Sequence, residues 1–282
     1  MSSEATLDTS RIDYLIAQSD VASLRVVVVG VGSGGAVVVE RLAMCGIRSW
    51  ALFDPDLLEP VNLVKHPARR SDLFRPKVEI TAEWLRDRNP RADVRAYQAD
   101  VVGLQTFDDE IANADLVVCA VDNAAARSYI NHLCVAARLP CVFGSVFRTG
   151  LGGEVYAYLP GETGCHDCKL RYVAEQGTDL DNLLELTQEE THHIYGLGEG
   201  DFAASGLAVD IGIVATMHAH YIMSLFGAKG SAYLTAPSFN WLTIGLRDVP
   251  DLFSVYQCFR MKLRGRHDCL HECGAGYRKG AG

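Results

Sequence analysis

Leu24 to Val29 is a β-branched run that ends in glycines, and the apolar stretch Ala36 to Met44 follows it. A buried parallel strand feeding a helix reads this way, because a strand covered on both faces carries no polar alternation. The alternation continues along the chain. Ser49 to Phe53 predicts a strand, Lys77 to Arg88 a helix and Val94 to Tyr97 a strand. Phe107 to Ala112 predicts a short helix, Leu116 to Val121 a strand, Ala124 to Ala137 a helix and Cys141 to Val146 a strand. Strands alternating with helices in this way predict an α/β fold, a Rossmann-like doubly wound and mostly parallel sheet.

After Gly150 the pattern changes. Glu154 to Leu159 predicts an antiparallel strand, the start of a C-terminal extension, and Cys165-His166-Asp167-Cys168 follows. An acidic stretch from Glu175 to Gly200 carries Asp179, Asp181, Glu185, Glu189 and Glu190. It reads equally as a solvated acidic helix or as part of a crossing segment over about 169–205. A helix over Gly206 to Phe226 and short strands up to Phe259 close the chain. The apolar stretch Gly206 to Gly227 has spanning length, but Asp210, His218 and His220 within it favour a core helix over a membrane partner. No internal repeat, low-complexity tract or long linker divides the sequence. The expectation is one domain over 1–282, with a nucleotide-binding half (1–150) and a half for a partner tail and zinc (151–282).

Composition narrows the classes. With 282 residues and 49% hydrophobic content the chain can bury a large core. A net charge of −9 argues against a surface built to neutralise nucleic-acid phosphates. Met1 to Ser10 lacks the charged start and apolar run of a secretory signal, so a cytoplasmic location is expected. Nine cysteines in that compartment imply thiols and metal rather than disulfides. Cys45, Cys119, Cys134 and Cys141 fall in apolar segments and read as small buried hydrophobes.

Gly30-Val31-Gly32-Ser33-Gly34-Gly35 satisfies G-x-G-x-x-G between a predicted strand and a helix. Bare backbone there lets a phosphate approach the helix N-terminus, with Gly30, Gly32 and Gly35 as the expected contacts. Asp54 ends the next strand, where a carboxylate accepts hydrogen bonds from ribose hydroxyls, and Asp56 follows it. These features fit NAD and ATP alike. Asn62, Lys65 and Lys77 then place an amide and two cations beyond the second strand, suited to charge that develops on phosphate oxygens. Asp122 and Asn123 follow the strand Leu116 to Val121; Asp122 could hold a magnesium ion, and either could cap the next helix. Cys165 and Cys168, with Cys269 and Cys273, have the pairing of a tetrahedral zinc site, in which His267 or His271 could replace one of the second pair.

Together the glycine motif, Asp54-x-Asp56, Asn62-Leu63 with a cation following, Arg75-Pro76-Lys77, Asp122-Asn123 with Arg127, and the two cysteine pairs resemble the ThiF/MoeB family of ubiquitin-activating-type adenylyltransferases. The resemblance runs from about Arg11 to Cys273. It implies MgATP and the Gly-Gly tail of a ubiquitin-like protein as substrates, adenylation of the tail carboxylate, and a homodimer. By resemblance Gly32, Asp54, Asn62, Lys65 and Lys77 contact ATP, and Asp122 is the magnesium-linked carboxylate. The family often donates an N-terminal arginine across its dimer interface, for which Arg11 is the early candidate. Lys65-His66 stands where the family has arginine and glutamine, which keeps the charge but loses the bidentate fork.

Many relatives pass the acyl group to a cysteine of the crossing segment, on the way to a conjugating-enzyme-like acceptor. No cysteine occurs between Cys168 and Cys258, so that segment cannot supply the thiol; what remains is a hydroxyl such as Thr187, Ser205 or Thr191 beside His192-His193, a cysteine elsewhere, or no covalent nucleophile. The alternatives are adenylation of a peptide or other small carboxylate, an NAD-dependent oxidoreductase, and a non-catalytic binding module. An oxidoreductase has no use for Lys77, Asp122-Asn123 or the cysteine quartet.

Overall fold

The computed structural model describes residues 7–147, 150–176, 206–229, 231–249 and 253–274. Five strands run parallel: β1 (Arg25–Val29), β2 (Ser49–Phe53), β3 (Asp93–Tyr97), β4 (Leu116–Cys119) and β5 (Cys141–Val146). Three antiparallel strands extend the sheet: β6 (Gly152–Tyr158), β7 (Trp241–Gly245) and β8 (Cys258–Met261). The order is β3-β2-β1-β4-β5-β6-β7-β8. The doubly wound, mostly parallel sheet expected from the alternation is therefore present, with its antiparallel extension.

The valines of β1 divide the core in two, because successive side chains of a strand point to opposite faces. Val26 and Val28 join a cluster built on α2 (Ser33–Met44), α3 (Lys77–Arg88) and α7 (Ala208–Phe226). Val27 and Val29 join a second cluster with α4 (Gln105–Ile111), α5 (Ala124–Ala136) and three of the paired cysteines. Helices thus cover both faces, and all seven residues of β6 are buried between β5 and β7. The short α1 (Gln18–Ala22) precedes β1.

Differences from the expected boundaries are small and have local causes. The strand after α4 ends at Cys119 rather than Val121; Ala120 still donates to Val29 O at 2.8 Å before the chain turns. α6 (His166–Gln176) begins inside the first cysteine pair, where no helix was expected. It occupies the start of the supposed crossing segment, and Thr187, Thr191, His192, His193 and Ser205 lie outside the described residues. α7 is long and apolar enough to span a bilayer by length and composition. Here it packs on α2, β5 and β6 and buries Asp210 and His218.

Candidate active site

The strand order reverses around β1, with β2 and β3 on one side and β4 and β5 on the other. Open α/β sheets bind ligands in the crevice that this reversal opens at the carboxyl ends of the strands. A cavity of about 560 Å³ lies there, and Gly30, Gly32, Asp54, Asp56, Asn62, Lys65, Lys77, Asp122 and Asn123 all line it. Gly35 and Arg11 are not among the lining residues, and Arg11 is exposed.

The glycines have separate reasons. Gly30 has φ +87°, and a Cβ there would stand 2.8 Å from the Ala120 carbonyl oxygen. At Gly35 a Cβ would fall 1.9 Å from the Gly30 carbonyl oxygen, so this glycine serves the approach of α2 to its own loop. Gly32, the N-cap of α2, has open space where a Cβ would be. It therefore leaves the unpaired amides of the first helical turn accessible to an anion.

Two side chains hold that loop from the β2 side. Asp54 accepts the Val31 amide on one oxygen and the Asp56 amide on the other, both at 2.9 Å. Burial raises its carboxyl above the ordinary range, against the pull of the Asp56 amide, Lys77 and the Val31 amide. Asp54 is a brace as well as a ribose candidate. His66 also reaches the loop, with Nε2 3.0 Å from Val31 O while its Nδ1 accepts the Ala68 amide. Burial lowers its pKa, so a neutral ring with the proton on Nε2 fits both bonds.

Lys77 opens α3, where a cation faces the positive end of the helix dipole. It is held there by Asp56, at 2.7 Å, with the lysine side chain 10% exposed and the aspartate 60%. An ammonium has three donors, so two remain for a ligand. Across β1, the strand β4 delivers Asp122 and Asn123. Asn123 Oδ1 caps α5 by accepting the Ala125 and Ala126 amides at 2.8 and 3.2 Å. The cap belongs to Asn123, and among the described residues the exposed Asp122 carboxylate has no partner. Arg127 Nε steadies the turn by donating to Val121 O at 2.8 Å.

Sequence reasoning missed the far wall of the cavity. It is formed by Gly144 to Phe147 at the end of β5 and by Ile211, Val214 and His218 of α7. The available signal was Gly144, a lone glycine inside an apolar strand, which marks a close approach. A Cβ there would lie 2.3 Å from His218 Nδ1.

The two cysteine pairs meet on the opposite face of the sheet from α7. The four Sγ atoms lie within 4.8 Å of one another. Sulfur separations are 3.9 Å for Cys165 and Cys168, 3.6 Å for Cys165 and Cys269, and 3.5 Å for Cys168 and Cys273. Tetrahedral ligands about 2.3 Å from a zinc ion stand about 3.8 Å apart, so the donor set fits zinc. His271 is engaged elsewhere, with Nε2 2.5 Å from Asp167 and Nδ1 3.3 Å from His132 Nδ1. Cys119, Cys134 and Cys141 are buried as expected, whereas Cys45, expected with them, is only half-buried against the core, and Cys258 is exposed.

The fold and cavity define an α/β protein of the doubly wound class with a crevice at the carboxyl ends of its parallel strands. The chain belongs to the ThiF family, whose model matches residues 7–246. Ubiquitin-like modifier-activating enzyme 5 of Dictyostelium discoideum is 28% identical over 209 residues, 70% of this chain and 51% of that protein. The SAMP-activating enzyme E1 of Haloferax volcanii is 31% identical over 162 residues, 57% of this chain and 58% of that protein. The chain thus spans about half the length of these relatives. Among solved structures, E. coli MccB with ATP superposes with a TM-score of 0.67 at 20% identity, covering 90% of this chain and 68% of that one. MccB with N-formylated MccA gives the same TM-score, 0.67, over 91% of this chain and 69% of that one.

Proposed function

We propose that this chain adenylates the C-terminal carboxylate of a ubiquitin-like protein ending in Gly-Gly, consuming ATP and releasing pyrophosphate. One observation carries the reading: Asn62, Lys65, Lys77 and Asp122 line the same cavity as the glycine loop. That set suits phosphate charge and leaves an oxidoreductase reading without support. A carboxylate oxygen forms a bond to the α-phosphorus, the bond from that phosphorus to the bridging oxygen breaks, and pyrophosphate departs with the bonding pair. Lys77 and Lys65 stabilise the charge on the nonbridging and leaving oxygens. Asp122, a carboxylate with no competing partner among the described residues, would hold Mg²⁺, which neutralises phosphate charge when bound. The four cysteines would hold a structural Zn²⁺. The homodimer, the role of Arg11 across it, and a conjugating-enzyme-like acceptor belong to the same proposal.

Relatives named as activating enzymes for a ubiquitin-like modifier and for SAMP support the ubiquitin-like substrate. A second reading, adenylation of a short peptide, draws on the fold likeness to MccB, a protein solved with MccA. ATP–pyrophosphate exchange against a panel of Gly-Gly-ending proteins and short peptides separates them. Exchange is expected with a ubiquitin-like protein, and its loss in Asp122→Ala with an unchanged melting temperature. Near-normal exchange in Asp122→Ala would overturn the assignment, and exchange with peptides alone would favour the second reading.

A further inference from the structure

Phosphate chemistry leaves the far wall of the cavity without a task. Asn62, Lys65 and Lys77 follow β2, whereas Gly144 to Phe147 end β5, with β1 and β4 between them. In-line displacement puts the attacking oxygen opposite the leaving group. Pyrophosphate held on the lysine side therefore places the acyl substrate against β5 and α7.

His218 stands in that wall, 2% exposed, on the bare backbone of Gly144. Nε2 lies 3.1 Å from Val142 O, so it carries the proton and donates. Nδ1 is then an acceptor only, and it has no partner among the described residues. Among the described residues the buried side-chain nitrogens without partners are Trp50 Nε1, Asn131 Nδ2 and His166 Nδ1; His218 Nδ1 faces the Gly144 backbone, and both of these residues line the cavity. Burial pushes the His218 pKa down to about 4, which keeps the lone pair on Nδ1 at neutral pH.

An acceptor at this depth repels a carboxylate oxygen and calls for an N–H or O–H. In a peptide tail, the donor nearest the reacting carboxylate is the amide of the last peptide bond, one Cα away. We propose that His218 is a specificity-determining residue whose Nδ1 accepts this terminal amide N–H, setting the last residue in line with the α-phosphorus. The inference rests on the adenylation reading and adds which part of the substrate is recognised.

The test compares a synthetic peptide ending in Gly-Gly with the same peptide carrying an ester in place of its last amide. Both are assayed by pyrophosphate exchange alongside a full Gly-Gly-ending ubiquitin-like protein. For the wild-type chain the ester is expected to raise the peptide KM about tenfold, the scale of one hydrogen bond, with the KM for ATP unchanged. His218→Leu is expected to lose the distinction between amide and ester, and His218→Gln, which keeps a donor and an acceptor, to restore part of it. The wild-type comparison needs no variant, so it stands even where His218→Leu fails to fold. Equal KM values for amide and ester overturn the role of His218 and leave adenylation standing. No exchange with either peptide or with any Gly-Gly-ending protein overturns adenylation and this inference with it.

Discussion

Asp122 and Asn123 are neighbours with different duties: Asn123 closes the first turn of α5, which frees Asp122 to face the cavity. Lys77 shows the converse arrangement, a residue held in an unfavourable place. Its ammonium is nearly buried at a helix N-terminus, and the mostly solvated Asp56 is its partner. Lys77→Ala is expected to lower the exchange rate about a hundredfold, the scale of one lost transition-state donor. The melting temperature should stay close to that of the wild type, since Asp56 remains hydrated; an unchanged exchange rate would remove Lys77 from the chemistry. His66 and His218 act on stability as well. Burial lowers both pKa values, to about 4 for His218, so protonation is disfavoured in the folded chain. The unfolded chain binds these protons near pH 6.5. Stability from the two rings is therefore complete above that pH and declines as pH falls below it, the His218 share levelling off near pH 4. At 1.36 kcal/mol per unit, that share amounts to about 3 kcal/mol. Urea unfolding at pH 7.5 and 5 should show a smaller acid loss for His218→Gln than for the wild type, and parallel losses would contradict this account.

At the scale of elements, α6 is fixed to the sheet by a buried ion pair. Lys169 bonds to Glu154 of β6, and the second carboxylate oxygen accepts Trp241 Nε1 of β7 at 2.8 Å. Burial pushes the Glu154 pKa up, but Lys169 and Trp241 outweigh it and the net direction is down. Ser145, on the cavity wall, donates to the same carboxylate at 3.2 Å. Lys169→Ala leaves a buried charge without its partner and is expected to cost about 3–5 kcal/mol. Lys169→Met combined with Glu154→Gln should recover much of it, and a single variant as stable as the wild type would show the pair to be dispensable. The strands and helices up to β5 were legible in the sequence because parallel strands are buried on both faces and punctuated by glycine. β8 was less so: every one of its residues is exposed, and an edge strand without a buried face leaves little pattern. The glycine loop, Asp54, Lys77 and Asp122 could be found because their spacing follows the order of the strands. His66 and His218 could not, since their partners Val31 and Val142 are brought to them only by tertiary packing.

Over the whole molecule, the cysteine cluster joins the middle of the chain to its far end. Cys165 and Cys168 flank the start of α6, while Cys269 and Cys273 come after β8, so the cluster closes a loop that contains α7, β7 and β8. Closing a long loop removes entropy from the unfolded chain, and a metal ion that binds only the folded arrangement adds its binding energy to stability. The cluster also packs with Phe143, Tyr156 and Trp241 on the face of the sheet away from α7. The glycine loop and Lys77 depend instead on β1, β2, α2 and α3. Purified protein is therefore expected to contain one zinc ion per chain. Removing it with a chelator should lower the melting temperature by about 10 °C or more, since each kcal/mol is worth about 2–4 °C in a chain of this size. Thiol titration should gain four reactive groups, and ATP binding should weaken less than folding stability. Cys168→Ser ought to reproduce the chelated state, whereas a zinc-free preparation with an unchanged melting temperature would reduce the quartet to ordinary buried thiols.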